Sequence, residues 1–103
     1  MQTTITARHK DIPDDLKTRA KAVVARLAKR ANRPTSAHVT FDRSRLEARA
    51  EIVLNAARNA VFVASAVADD HRTALDRVAA KLQRQLMKRA RPARRAARKA
   101  VSR

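Results

Sequence analysis

The chain predicts an α+β fold: a two-layer sandwich in the order β-α-β-β-β-α, a four-stranded sheet with two helices packed on one face. Three observations predict it. Four segments alternate apolar and polar residues, the period of a strand with one buried side. Two longer segments repeat apolar residues every three or four positions, the period of an amphipathic helix. Only one face of the alternating segments is apolar, so both helices must cover the same side of the sheet.

The first strand is TTITAR, Thr3 to Arg8, β-branched and alternating. In DIPDDL, Pro13 suits a first helical turn, and Asp14 and Asp15 stand where the positive end of a helix favours anions. The apolar stripe that follows is Leu16, Ala20, Val23, Val24, Leu27 and Ala31, and Asn32 and Pro34 end the helix. SAHVTF turns Ala37, Val39 and Phe41 to one side and Ser36, His38 and Thr40 to the other. DRSR is a turn. The third strand begins at Leu46, with Leu46, Ala48, Ala50, Ile52 and Leu54 inward and Glu47, Arg49 and Glu51 outward. NAARN is a hairpin connection without the usual Gly, and AVFVASAV is the fourth strand.

Asp69 or Asp70 caps the last helix, whose buried stripe is Leu75, Val78, Ala79, Leu82 and Leu86. That helix is expected to fray near Pro92. The chain then divides into a domain over 1–91 and a basic tail over 92–103, too charged and too simple in composition to fold alone.

A chain of 103 residues suffices for one small domain. Without cysteine, neither a disulfide nor a thiolate metal site supports it. No apolar run suggests a leader or a membrane span, so a cytoplasmic location is expected. Net charge is +16, from 25 Lys+Arg against 9 Asp+Glu, an excess that self-repels unless a polyanion relieves it. In a cytoplasm that polyanion is nucleic acid, mostly RNA. Anionic membrane is the rival, but the chain has no Trp or Tyr to anchor at an interface. With only two aromatic residues, both Phe, base stacking is limited, and phosphate and shape contacts should dominate.

The charge is arranged as well as abundant. At about 100° per residue, Arg77, Lys81, Arg84, Lys88 and Arg91 form one row on the last helix, set opposite Leu75, Leu82 and Leu86 and so expected to face solvent. Ordinary solvated helix faces mix signs, because acid–base pairs four residues apart are stabilising. Here the neighbours are all cations, and no acid occurs from Lys81 to the C-terminus. The first helix adds Arg19, Arg26, Lys29 and Arg30 on one flank and Lys17 and Lys21 on the other. If the helices lie side by side, their outer faces make one basic plateau whose groove suits a nucleic-acid backbone.

Several strings are similar to those of a known family. They are ITARHKDIPDDLK at the start, SAHVTF in the second strand, VFVASA in the fourth and DDHRTALDRVAAKLQRQLMK in the last helix, together spanning most of Ile5 to Lys88. KLQRQLMK is the most specific. The chain resembles the ribosome hibernation-promoting factor and ribosome-associated inhibitor A family, also called ribosomal subunit interface or sigma-54 modulation proteins, in its short form. The resemblance implies the same β-α-β-β-β-α domain, bound to the small ribosomal subunit and its rRNA at the decoding region. There it overlaps the tRNA and mRNA positions and silences translation in stationary phase or stress. It implies RNA-binding roles for Lys81, Arg84 and Lys88, for Arg26 and Lys29, and more weakly for Arg8 and Lys17; Arg77 and Arg91 join them from the geometry of the row. The chain departs from the family pattern where Asn-Gly is replaced by Asn59-Ala60, where Tyr is replaced by Arg72, and in a tail that is basic.

The expected protein is therefore not an enzyme. It needs no cofactor, metal or small-molecule substrate, binds no membrane, and is a monomer off the ribosome. His9, His38 and His71 lack metal-site spacing, though His71 is a candidate for the RNA surface. Asp69, Asp70 and Asp76 are explained by capping and helix electrostatics. A chain without Gly has no Gly-rich phosphate loop. The alternative is a general RNA- or DNA-binding basic protein with no specific ribosomal site.

Overall fold

The computed structural model describes residues 1–8 and 12–90, without the side chains of 89 and 90. The expected end of the last helix near Pro92, the position of Arg91 and the tail over 92–103 lie outside the described residues. Strands β1 (Gln2–Ala7), β2 (Ser36–Arg43), β3 (Ala48–Ala56) and β4 (Ala60–Ala68) join helices α1 (Asp14–Ala28) and α2 (His71–Ala90) in the order β-α-β-β-β-α. The sheet runs β1-β2-β3-β4 and is mixed: β1 is parallel to β2, and the other pairs are antiparallel. Both helices therefore run antiparallel to β2 and β4, and parallel to each other.

Alternation places each strand as expected. Ile5, Val39, Ile52 and Ala64 form one cross-strand row, and Ala7, Phe41, Ala50 and Ala66 the next. Phe41 is fully buried with Ala on both neighbouring strands, so one large ring fills the space that small neighbours leave. The alanines of β3 and β4 likewise let α2 lie close, and Leu75, Val78, Leu82 and Leu86 fill the interlayer with no exposed area to speak of. α2 covers β3 and β4, while α1 packs beside it toward β1.

The helix ends follow from their polar groups. Pro13 is the cap of α1: it lacks a donor to waste, and its carbonyl accepts from the Leu16 and Lys17 amides. Asp70 caps α2, its Oδ1 accepting from the Thr73 amide at 2.7 Å.

Two expectations need correction. Leu46 is not inward on β3. It is 82% exposed and lies outside the strand, because the Ser44 amide donates to the Glu47 carbonyl (3.0 Å) and closes a turn that lifts it off the pleat. α1 ends at Ala28, before Ala31; Arg30 and Ala31 donate to carbonyls three residues back, the tighter closure of a terminal turn, and Ala31 still packs on the core. The connection between β3 and β4 is the expected hairpin, a tight turn over Ala57–Asn59 closed by the Ala60 amide on the Ala57 carbonyl. Its left-handed residues are Arg58 and Asn59, one position earlier than an Asn59-Ala60 turn would have.

Candidate nucleic-acid interface

β4 is an edge strand, so every second residue turns an unpaired carbonyl away from the sheet. α2 runs antiparallel along that edge. Four helix residues rise about 6 Å and two strand residues about 6.6 Å, so side chains four apart on the helix meet alternate carbonyls on the strand. Arg77 Nη1 donates to the Val67 carbonyl (2.8 Å), Lys81 Nζ to Ser65 (2.9 Å) and Gln85 Nε2 to Val63 (2.6 Å). The row predicted to stand opposite the buried stripe thus lies on the β4 flank of α2. Arg77 and Lys81 are exposed yet already hydrogen-bonded, and Gln85, uncharged, went unnoticed in the sequence because nothing there marks β4 as an edge.

Arg84 and Lys88 lie on the same flank. Both are exposed, and among the described residues neither has an ion pair or hydrogen bond. No carboxylate of the described residues lies on this flank beyond Arg77. Arg77, Lys81, Arg84 and Lys88 therefore form one continuous cationic row beside the sheet edge.

The remaining candidates are distributed differently. On α1, Arg19 and Arg26 turn toward α2, at about 100° per residue from the buried stripe. Arg19 is spent on Asp76 of α2, with Nη2 to Oδ1 at 2.9 Å and Nε to Oδ1 at 3.3 Å. That bridge, with Ala80, Gln83 and Met87, forms a largely neutral strip between the cations of the two helices. The single plateau with a basic groove is thus two tracts, which approach one another at the C-terminal ends of the helices, where Arg26 and Lys29 lie. Lys17 is half-buried on the α1 flank away from α2. Arg8 lies on the far face of the sheet, in a shallow cleft with Thr40, Asp42, Arg49 and Glu51.

His71 does not join this surface. It is buried, its Nε2 lies 2.8 Å from the Asp42 carbonyl, and its ring meets Phe41 edge-on at 5.8 Å. It ties the start of α2 to β2. The Thr73 amide, then the Thr73 hydroxyl, hold the Asp70 carboxyl below the usual carboxylate range. Among the described residues, no three His, Cys, Asp or Glu side chains gather as a metal would require, and no helix is long and apolar enough to cross a membrane.

Charge is also polarised along the strands. Asp14, Asp15, Asp42, Glu47, Asp69 and Asp70 lie at the end where the helices begin, and Glu51 and Asp76 lie between the ends. The end where the helices finish has cations alone among the described residues: Lys29, Arg30, Arg33, Arg58 and Lys88.

The family model described as sigma 54 modulation protein / S30EA ribosomal protein matches residues 3–94. Among solved structures, a ribosomal subunit interface protein from Coxiella burnetii is similar at 21% identity, with 85% of this chain and 96% of that one covered and a TM-score of 0.74. The N-terminal domain of Protein Y from Thermus thermophilus is similar at 23% identity, with 84% and 96% covered and a TM-score of 0.72. At these identities the two structures establish the shared fold. No curated protein sequence matches the chain.

Proposed function

The chain belongs to the sigma 54 modulation protein / S30EA ribosomal protein family, and on that premise we propose that it binds the small ribosomal subunit through rRNA and silences translation under stress or in stationary phase. It acts by occlusion, without catalysis. The domain occupies the decoding region, where tRNA and mRNA would lie, and is held there by charge-assisted contacts to phosphates. Off the ribosome it is a cytoplasmic monomer.

The observation that carries this reading is the cationic row Arg77–Lys81–Arg84–Lys88, presented on α2 with no described carboxylate beyond Arg77 to neutralise it. Its spacing of about 5–6 Å per turn is of the order of the phosphate repeat along a nucleic-acid strand. Arg84 and Lys88 are free to grip at once. Arg77 and Lys81 exchange a neutral carbonyl for a phosphate, a stronger partner for a cation. Neutralising about six phosphates gives a log–log salt slope on the order of −4 to −5.

The test is co-sedimentation of the protein with purified small subunits. Arg84→Glu/Lys88→Glu should lose binding with its circular dichroism unchanged, because both side chains face water and hold no partner in the described fold. Retained co-sedimentation would remove the row from the interface. Equal affinity of the unaltered protein for an isolated RNA duplex and for small subunits would favour the general nucleic-acid binder instead.

A further inference from the structure

Three described residues have left-handed backbone: Arg33 (φ 53°), Arg58 (φ 64°) and Asn59 (φ 61°). All three lie at the end that has no acid among the described residues, and the chain has no Gly to place there. Asn tolerates this region because its short side chain bonds locally; Arg has no such compensation, and its Cβ crowds the carbonyl. Arg58 fills the first central position of the β3–β4 turn, where Asn or Gly is the usual occupant.

No described side-chain contact of either arginine offsets the strain. Both arginines are exposed, and among the described residues neither guanidinium makes a hydrogen bond or ion pair. They are nevertheless held in place together. The Ala57 amide donates to the Asn32 carbonyl at 3.1 Å, which joins the residues immediately before Arg58 and Arg33, and the Thr35 amide donates to the Asn55 carbonyl at 2.8 Å. Two loops bonded to each other thus present two unneutralised guanidinium groups. The match of four helix residues to two strand residues, continued past Gln85 and Val63, sets position 89 level with Val61, so Lys88, one residue earlier, approaches this turn.

We propose that Arg33 and Arg58 are a second anchor for RNA phosphates, continuing the path of Arg84 and Lys88 around the end of the molecule. The inference rests on the ribosome-binding reading and extends it to residues off the helices. Each planar guanidinium can engage a phosphate in a bidentate pair, and the strained loops fix the direction from which it does so.

The experiment measures affinity for purified small ribosomal subunits as a function of salt, for three proteins. The unaltered protein should bind; if it does not, the ribosome reading falls and this inference with it. Arg33→Gly/Arg58→Gly relieves the backbone and removes the charges, so its Tm should be unchanged or raised while affinity falls at least about tenfold. Its salt slope should become shallower by about one to two. Arg43→Ser/Arg45→Ser removes the same charge from the opposite end and should bind nearly as the unaltered protein does. Undiminished affinity of the glycine variant, or equal losses in both variants, overturns the anchor and leaves the ribosome reading standing.

Discussion

The Lys81 ammonium lies 2.9 Å from the Ser65 carbonyl oxygen, so a cation of α2 closes part of the open edge of β4. With Arg77 on Val67 and Gln85 on Val63, it forms a ladder of side chains where a neighbouring strand would otherwise pair. The ladder explains how the molecule can leave Val61, Val63 and Val67 exposed on an edge strand without inviting a second sheet.

Arg77→Ala/Lys81→Ala/Gln85→Ala should therefore cost little stability, since water can replace each donor at an exposed site, but should promote self-association through β4. Urea denaturation should show a loss below about 1 kcal/mol per position. Sedimentation velocity should show dimers or larger species that the unaltered protein lacks. A variant that stays monomeric at high concentration would remove the protective role.

The Asp70 carboxylate gives the start of α2 a pH dependence. Its folded-state titration is depressed by the Thr73 amide and hydroxyl. Its contribution is therefore complete above the unfolded value of about 3.9 and is lost as pH falls through the lower folded value. Asp70→Ala should lower Tm at pH 7, and its deficit should shrink toward zero as the medium is acidified below about pH 4. Asp70→Asn, which keeps the acceptor, should recover most of the Tm without the pH dependence.

Asp76 is the acid that interrupts the helix surface, and its bond to Arg19 is half-exposed, with side-chain exposures of 49% and 41%. Such a pair is worth about 0–1 kcal/mol. Asp76→Asn should leave Tm nearly unchanged, free Arg19, and tighten RNA binding by up to about fivefold at low salt. Weaker binding would mean that the bridge positions the two helices for RNA.

Leu82 and Met87 occupy one helix with opposite consequences. Leu82 has no exposure and Met87 has 41%. Leu82→Ala should cost about 2–5 kcal/mol, a large share of the roughly 5–15 kcal/mol holding a small domain. Met87→Ala should stay within about 0.5 kcal/mol. Paired urea curves with equal m-values would check both.

Most of the fold was legible because each strand has one apolar face and each helix one apolar stripe, and these periods survive without knowledge of neighbours. Leu46 was misplaced because alternation extends through a turn as readily as through a strand; only the Ser44–Glu47 bond separates the two. The row on α2 was legible from helical spacing, but its direction depends on β4 being an edge, which is a fact of topology. Arg19 looked like part of the basic surface, and only the parallel packing of α1 against α2 brings it to Asp76. Arg33 and Arg58 carried no signal, since left-handed turns are normally announced by Gly or Asn and here two arginines take that conformation.

The parallel course of α1 and α2 has an electrostatic consequence. Their peptide dipoles are aligned, with the negative poles directed toward the same end of the molecule. The most cation-crowded end thus has a built-in counter-charge made of main-chain oxygen. Part of the mutual repulsion among those cations is thereby offset from within the fold.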